Sequence, residues 1–308
     1  MPACTPIYEH WTFSSTTKTS GNFFAVLLRP MVLCNHERSY FVSATEAFLD
    51  LPDVRILFRW DGEEGLPVLL LSNGLGTNLT MWDEQVSGLA NHLRLLRYDQ
   101  RGHGQSSVPP GPYSIEQTGR DVLGLLDALE VQSCSFCGLS MGGTVGQWLG
   151  INAPRRIQKL VLSNTAAKIG TEQSWNARIN LVRQSGVAAA IPLVLDRWFT
   201  ADFQKRAPET VARIRTMFLA TDPEGYVAGC AAIRDMDLRE DVRNIQGPTL
   251  IISGADDAVT PPAEGKYLAE NIPGASYVEL AAAHLSNVEA APAFNSALLQ
   301  FLLPDQTA

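Results

Sequence analysis

Two patterns of hydrophobic and polar positions follow each other along this chain. Residues 47–51 and 54–60 alternate apolar with polar side chains, which predicts two strands joined by a tight turn at Pro52-Asp53. Mostly apolar runs at 67–72, 94–99, 133–139, 158–163, 248–253 and 275–280 are typical of buried strands. Helical spacing lies between them, at 79–93, 113–129 and 290–302. Strands that alternate with helices predict an α/β fold with a doubly wound, mostly parallel sheet.

The alternation is interrupted between residues 166 and 245, where the whole pattern is helical. We expect this segment to be a helical cap inserted over one end of the sheet, with residues 43–165 and 246–308 forming the α/β core. Residues 1–42 contain a Ser/Thr-rich stretch and a short apolar run at 23–28, which is too short to cross a membrane. We expect them to be a poorly ordered extension.

Composition narrows the classes of protein to which the chain can belong. Among 308 residues, 45% are hydrophobic and the net charge is −8, which argues against non-specific binding to nucleic acid. The five cysteines are scattered and odd in number, which favours reduced thiols and a cytoplasmic setting. Cys134 and Cys137 match C-x-x-C, but residues three apart on a strand face opposite sides, so we expect two buried core thiols. We expect no membrane association, and a monomer or small homo-oligomer.

One stretch of the chain, Gly138-Leu139-Ser140-Met141-Gly142, fits the pattern G-x-S-x-G. In this motif the serine occupies a sharp turn between a strand and a helix, and the glycines allow backbone segments to approach closely. Residues 144–151 are compatible with a helix, so Ser140 would lie at a helix N-terminus, which favours a developing negative charge. The alternative is a glycine-rich turn that contains a serine by chance. The presence or absence of partner residues for the serine distinguishes the two interpretations.

A nucleophilic serine needs a histidine base and an acid that orients the histidine. His284 directly follows the last predicted strand, where the order serine, acid, histidine places the base. The preceding strand ends in Gly254-Ala-Asp256-Asp257, and only one of the two adjacent aspartates can face the imidazole. We favour Asp257 as the acid and Asp256 as a turn residue. The sequence therefore predicts a triad of Ser140, Asp257 and His284.

An oxyanion hole requires two backbone N–H groups directed at one point. Met141 follows the serine directly and supplies one donor. Leu75, between two glycines in the loop after the strand at 67–72, is the best choice for the other. No dense cluster of histidine, cysteine and aspartate is present in the sequence, so we expect neither a metal nor a cofactor.

Longer stretches of the chain resemble one branch of the α/β-hydrolase family. The serine, acid and histidine motifs specify only that superfamily. Six stretches resemble the 3-oxoadipate enol-lactonases: LSNGLGTNLTMWDEQ, RYDQRGHGQSS, GLSMGGTVGQWLG, DRWFT, GYVAGCAAIRDMDLR and AAHLSNVE. The resemblance covers residues 45–303, and residues 1–42 have no counterpart in it. Asn73-Gly74 stands where many hydrolases carry His-Gly, which matters little if the oxyanion donor is the Leu75 backbone.

The resemblance implies that the protein is a serine esterase that opens the enol-lactone of 3-oxoadipate in the β-ketoadipate pathway of aromatic catabolism. The implied partner is a small anionic lactone, so the pocket should supply a cation. Trp175 and Arg178 are spaced i, i+3 and share a helix face, which favours Trp175 over the ring and Arg178 on the carboxylate. An amphipathic cap helix with a packed tryptophan and a solvated arginine is equally consistent with the spacing. We expect Arg101 to be structural.

Other functions on the same fold stay open at this point. A carboxylesterase, a perhydrolase or a carbon–carbon bond hydrolase would use the same three residues. A ligand-binding receptor on this fold typically lacks a member of the triad, and all three members are present in this sequence.

Overall fold

A single nine-stranded sheet organises the described part of the chain, which comprises residues 29–30 and 45–303 of this computed structural model. The strands, in chain order, are β1 (Arg29–Pro30), β2 (Thr45–Asp50), β3 (Arg55–Asp61), β4 (Val68–Ser72), β5 (Arg94–Tyr98), β6 (Cys134–Leu139), β7 (Ile157–Ser163), β8 (Thr249–Gly254) and β9 (Ser276–Leu280). Their order across the sheet is β1-β2-β3-β5-β4-β6-β7-β8-β9. The pairs β1/β2, β2/β3 and β3/β5 are antiparallel, and all other pairs are parallel. The predicted doubly wound, mostly parallel α/β sheet is confirmed.

Helices connect the parallel strands and build the inserted segment. They are α1 (Asp83–Leu89), α2 (Ile115–Ala128), α3 (Met141–Asn152), α4 (Glu172–Ser185), α5 (Ile191–Trp198), α6 (Ala201–Arg206), α7 (Pro208–Leu219), α8 (Pro223–Asp235), α9 (Pro262–Asn271), α10 (Ser286–Glu289) and α11 (Ala291–Leu302). Five of them, α4 to α8, lie between β7 and β8, in the segment that the sequence assigns to a cap. Side-chain caps fix the starts of α2 and α4, where Ser114 and Thr171 accept hydrogen bonds from the first helical turn.

Some boundaries differ from the sequence predictions. The helix predicted at 79–93 is a 3-10 turn, Leu79–Trp82, followed by α1, which ends at Leu89. Helices α9 and α10 were not among the predicted elements. Of residues 1–42, only Arg29–Pro30 is described, as an edge strand paired with Thr45 and Glu46. The expectation about the rest of that segment lies outside the described residues. No helix of the described chain is both long enough and apolar enough to span a membrane.

The two faces of the sheet carry separate hydrophobic clusters. Cys137 belongs to the cluster that includes the cap, and Cys134 belongs to the cluster on the other face. Both thiols are buried, and burial raises the pKa of Cys134 to about 12. The prediction of two buried core thiols on opposite faces is therefore confirmed.

Aromatic side chains pack the helices of the cap against one another, and a hydrogen bond joins the cap to the core. Phe218 makes edge-to-face contacts with Trp198 and Tyr226, at centroid distances of 5.6 and 5.4 Å. Thr221 Oγ1 donates to the Gly76 carbonyl, in the loop after β4, at 3.2 Å. The two aromatic contacts lie within the cap, and the hydrogen bond joins the cap to the loop that follows β4.

Candidate active site

Ser140 occupies the junction between β6 and α3 in a backbone conformation that few residues adopt. Its φ is 57° and its ψ is −114°. The flanking glycines leave no room for a side chain: a Cβ at Gly142 would lie 2.1 Å from the Ser72 carbonyl oxygen, and one at Gly138 would lie 2.1 Å from the Gly142 carbonyl oxygen. The Ser140 N–H donates to the Ser163 carbonyl of β7 at 3.0 Å. Close packing of two strands and one helix thus requires the glycines and holds the serine in the turn.

His284 and Asp257 lie on the loops after β9 and β8 and face each other. The His284 Nδ1 and Asp257 Oδ2 atoms are 2.8 Å apart, and both residues are buried. Asp256, in contrast, is exposed, and its backbone N–H donates a hydrogen bond to the Ala282 carbonyl. The structure therefore brings Asp257, and not Asp256, to the histidine.

The Asp257 carboxylate is hydrogen-bonded at both oxygens, by its own loop and by Asn164. Oδ1 accepts from the N–H groups of Val259 and Thr260 at 2.7 and 3.0 Å, and Oδ2 also accepts from Thr260 Oγ1 and Asn164 Nδ2, each at 2.9 Å. Burial acts to raise the pKa of Asp257, but the charge and hydrogen bond of His284 and the other donors outweigh it, and the pKa falls to about 2. The group is therefore ionised at neutral pH, as an acid that orients a histidine must be.

The two segments predicted to supply an oxyanion hole, at Leu75 and Met141, lie beside Ser140. Met141 is the first residue of α3, so its N–H has no carbonyl partner within the helix. The loop of Leu75 also approaches the serine, since a Cβ at Gly74 would lie 3.7 Å from Ser140 Cβ. Asn73 anchors this loop: its Nδ2 donates to the Tyr98 carbonyl at 2.8 Å, and its Oδ1 accepts from Trp82 Nε1 at 2.9 Å.

Ser140 and His284 border one cavity, which lies between the cap and the sheet. Its walls are mostly apolar and also include both residues predicted for substrate binding; they comprise Gly74, Leu75, Thr77, Leu139, Ser140, Ile169, Trp175, Arg178, Leu193, Val194, Trp198, Tyr226, Ile233, Val259, His284 and Leu285. Among the described side chains, no hydrogen bond joins the Ser140 hydroxyl to the His284 ring. Such bonds commonly tighten only when substrate is bound.

Trp175 and Arg178 lie on the same face of α4. The Arg178 guanidinium carbon is 4.9 Å from the centre of the Trp175 ring, as a spacing of three residues on a helix allows. Trp175 is buried, and its Nε1 donates to the Ile169 carbonyl at 2.6 Å. Arg178 is half-buried and borders the cavity. Burial and the neighbouring Arg178 charge lower the pKa of Arg197, which does not itself line the cavity.

Arg101, which the sequence predicts to be structural, and two further histidines do not line the cavity. Arg101 is buried, and its Nε and Nη2 atoms donate to the two oxygens of Asp121, each at 2.6 Å. Its guanidinium is therefore held in a structural ion pair. His103 is buried, with Nδ1 3.0 Å from the Arg101 carbonyl oxygen, and burial lowers its pKa. His92 is exposed in the turn after α1.

Two residues beside the site were not singled out from the sequence. Asn164 follows β7 with φ at 44°, and its amide contacts Asp257. Glu289 ends α10, and its carboxylate accepts a hydrogen bond from the Ala283 N–H at 3.0 Å. The available signals were weak: an asparagine directly after a buried strand, and a carboxylate five positions after the histidine.

The described residues contain no group of three or more histidine, cysteine, aspartate or glutamate side chains that could hold a metal ion.

Comparisons with known proteins agree with this architecture. The profile of the alpha/beta hydrolase fold family matches residues 67–291. A 3-oxoadipate enol-lactonase of Acinetobacter baylyi is 42% identical over 250 residues, covering 81% of this chain and 94% of that protein. The crystal structure of the enol-lactonase from Burkholderia xenovorans is 47% identical, with a TM-score of 0.82, covering 83% of this chain and 99% of the other.

A more distant solved structure has the same fold. A thermophilic esterase from Thermogutta terrifontis is 29% identical, with a TM-score of 0.77, and the match covers 81% of this chain and 93% of the esterase. The family profile spans well over half of the chain, and the Acinetobacter relative exceeds 30% identity over most of it. On these grounds the chain belongs to the α/β-hydrolase family.

Proposed function

We propose that this protein is a serine hydrolase that opens the enol-lactone of 3-oxoadipate through an acyl-enzyme intermediate. The proposed reaction class rests on one observation. Ser140, His284 and Arg178 border the same cavity, and Asp257 Oδ2 lies 2.8 Å from His284 Nδ1. The similarity to enol-lactonases at 42% and 47% identity supports the choice of substrate. Water-mediated ring opening consumes one water and needs no oxidant or reductant.

Acylation begins with the Ser140 hydroxyl. His284 Nε2 removes its proton while Oγ attacks the lactone carbonyl, and Asp257 holds the opposite ring nitrogen and stabilises the imidazolium that forms. The oxyanion is held by the N–H groups of Leu75 and Met141, which act where negative charge develops. Collapse of this intermediate breaks the ring C–O bond, and the His284 imidazolium gives its proton to the departing enol oxygen, which is a better leaving group than an alkoxide. The enol then becomes the ketone.

Deacylation uses the same residues in reverse. Water takes the place vacated by the enol oxygen, and His284 accepts a proton as the water attacks the acyl carbonyl. The second oxyanion occupies the same pair of N–H groups, and its collapse returns the proton from His284 to Ser140. The products are the free acid and the unmodified enzyme.

The substrate carboxylate is the feature that separates the proposed substrate from neutral esters. Arg178 borders the cavity and lies 4.9 Å from the Trp175 ring, so one wall offers a cation beside an aromatic surface. The cap, residues 166–244, contains 11 basic and 10 acidic residues, while the rest of the chain contains 13 basic and 22 acidic residues. An anion is therefore repelled by most of the protein and is attracted only near these cap cations.

A broader esterase is the second function that the relatives support, since the Thermogutta esterase has the same fold at 29% identity. Purified protein should be assayed on the enol-lactone, by loss of its ultraviolet absorbance, and on a panel of neutral p-nitrophenyl esters. We expect kcat/KM for the lactone to exceed that for every neutral ester. Ser140→Ala and His284→Ala should lower turnover on both substrate types by about 10⁴-fold. A higher kcat/KM for a neutral ester would assign the protein to the esterases.

A further inference from the structure

One short segment of the cap contacts both loops that carry the acid and the base. This segment, residues 197–200, comprises the end of α5 and the connection to α6 and is called the cap corner below. The Trp198 carbonyl accepts a hydrogen bond from the Leu285 N–H at 3.0 Å. The Arg197 guanidinium donates to the carbonyl of Ala258, the residue after Asp257. The cap corner thus touches the immediate neighbours of His284 and Asp257.

A second connection between the cap corner and the histidine loop passes through Glu289. The Glu289 carboxylate accepts hydrogen bonds from the Thr200 hydroxyl and from the Thr200 N–H, the latter at 3.2 Å. The same carboxylate accepts from the Ala283 N–H at 3.0 Å. His284 is therefore held on both sides: the N–H before it is bound to Glu289, and the N–H after it is bound to Trp198.

The donors around Glu289 converge on its carboxylate. Glu289 is only 6% exposed, and its side chain receives three donors: two N–H groups and one hydroxyl. An ionised carboxylate accepts all three donors at its two oxygens. A glutamine would keep an acceptor for the two N–H groups but would lose the charge, and the Thr200 hydroxyl would have to reverse its hydrogen bond and accept from the NH₂ group. In the described part of the chain, no lysine or arginine forms a salt bridge with this carboxylate. The Arg206 guanidinium lies nearby and donates to the Glu289 backbone carbonyl at 3.3 Å, so the hydrogen bonds of the carboxylate itself are those of the three donors.

We propose that Glu289 is a positioning residue that holds His284 in register with Ser140 and couples the position of the cap corner to the base. The inference rests on the proposed role of His284 as the general base. The inference predicts that loss of the Glu289 contacts lowers the reaction rate only through its effect on His284.

A double-mutant cycle, assayed with p-nitrophenyl acetate, tests this prediction in the full-length protein. Glu289→Gln should lower kcat by about 10- to 100-fold, the scale of a 1 Å misplacement of a catalytic group, with KM changed little. In the His284→Ala background, where no base remains to be positioned, Glu289→Gln should cause no further loss. Glu270→Gln, an exposed glutamate of α9, is the matched control and should leave both rates unchanged.

Thr200→Val provides a second route if Glu289→Gln folds poorly. It removes the hydroxyl donor on the cap side and leaves the contact between Glu289 and Ala283 in place. We expect a loss of about 3- to 10-fold in kcat, the scale of one hydrogen bond, again absent in the His284→Ala background.

The outcomes separate this inference from the proposed function. Equal losses in the two backgrounds, or no loss from Glu289→Gln in the otherwise unaltered protein, would overturn the positioning role while the triad stands. If His284→Ala itself leaves ester hydrolysis unchanged, the proposed base is wrong, and the positioning role is overturned with it.

Discussion

Asn164 Nδ2 lies 2.9 Å from Asp257 Oδ2, and this contact joins the end of β7 to the loop after β8. The same Nδ2 is 3.3 Å from the Ala283 carbonyl, and Asn164 Oδ1 accepts from the hydroxyls of Ser163 and Ser286 at 2.9 and 2.5 Å. One buried amide therefore contacts the acid, the strand beside it and both flanks of the histidine loop. Asparagine suits the position because it tolerates the φ of 44° better than most residues.

Replacement of Asn164 should reduce activity through the acid. Asn164→Ala removes the donor to Asp257 and leaves two buried hydroxyls without their acceptor, so we expect kcat to fall by about 10-fold or more and stability to fall by about 2 kcal/mol. Asn164→Asp keeps the shape and the tolerance of positive φ, and it places a second carboxylate beside Asp257. A comparable loss of kcat in Asn164→Asp would assign the effect to the lost donor. A near-normal kcat in Asn164→Asp would instead assign the loss seen in Asn164→Ala to backbone strain.

The two adjacent aspartates should respond differently to the same substitution. Asp257→Asn removes the charge 2.8 Å from His284 Nδ1 and favours the wrong histidine tautomer, so we expect kcat to fall by about 10⁴-fold. Asp256→Asn changes an exposed side chain and should retain nearly full activity. Steady-state kinetics on one ester suffices, with circular dichroism to check folding. The reverse ranking of the two variants would contradict the assignment of the acid.

Asp257 should also make stability depend on pH in the acidic range. Its pKa is lowered from the ordinary 3.8 to about 2, because the contribution of His284 and the hydrogen-bond donors exceeds the opposing effect of burial. A carboxyl whose folded pKa is depressed stabilises the protein above its unfolded pKa, and this stabilisation is lost as pH falls towards the folded pKa. The contribution is about 2 kcal/mol at pH 6 and falls to roughly half of that by pH 3.

Urea unfolding of the wild-type protein and of Asp257→Asn, followed by tryptophan fluorescence at pH 6 and pH 3, measures this contribution. The difference in unfolding free energy between the two proteins should shrink by about 1 kcal/mol between the two pH values. Asp256→Asn serves as the control and should follow the wild-type curve. A difference that stays constant across this range would show that the carboxyl is not stabilised in the folded state.

Local signals in the sequence were sufficient for strands β2 to β9, for the serine turn and for the loops of the acid and base, while β1 was not predicted. Each depends on neighbours in the chain: glycines around Ser140, an apolar run before Asp257, a strand before His284. Asn164 and Glu289 act through contacts with residues far away in sequence, 93 positions in the case of Asn164 and Asp257, and no local pattern encodes such a contact. The short α1 was overestimated for a related reason, since apolar spacing continues to Leu93 while the backbone turns after Leu89.

The last prediction concerns recognition of the substrate carboxylate by Arg178. A forked arginine–carboxylate contact contributes about 1.5–3 kcal/mol, equivalent to about 10- to 150-fold in binding. Arg178→Ala should therefore lower kcat/KM for the enol-lactone by that factor and leave hydrolysis of p-nitrophenyl acetate nearly unchanged. Arg178→Lys should restore part of the loss, because an ammonium keeps the charge and lacks the fork.

Arg183 provides a matched control, because it lies on the same helix, α4, and is exposed. Arg183→Ala makes the same change in net charge, so it separates a general electrostatic effect from a direct contact, and both substrates should be hydrolysed at wild-type rates. If Arg178→Ala lowers the rates on the charged and the neutral substrate equally, the arginine supports the cap through its contact with Trp175. Arg197 would then be the next cation to replace, since Arg101 is already held by both oxygens of Asp121.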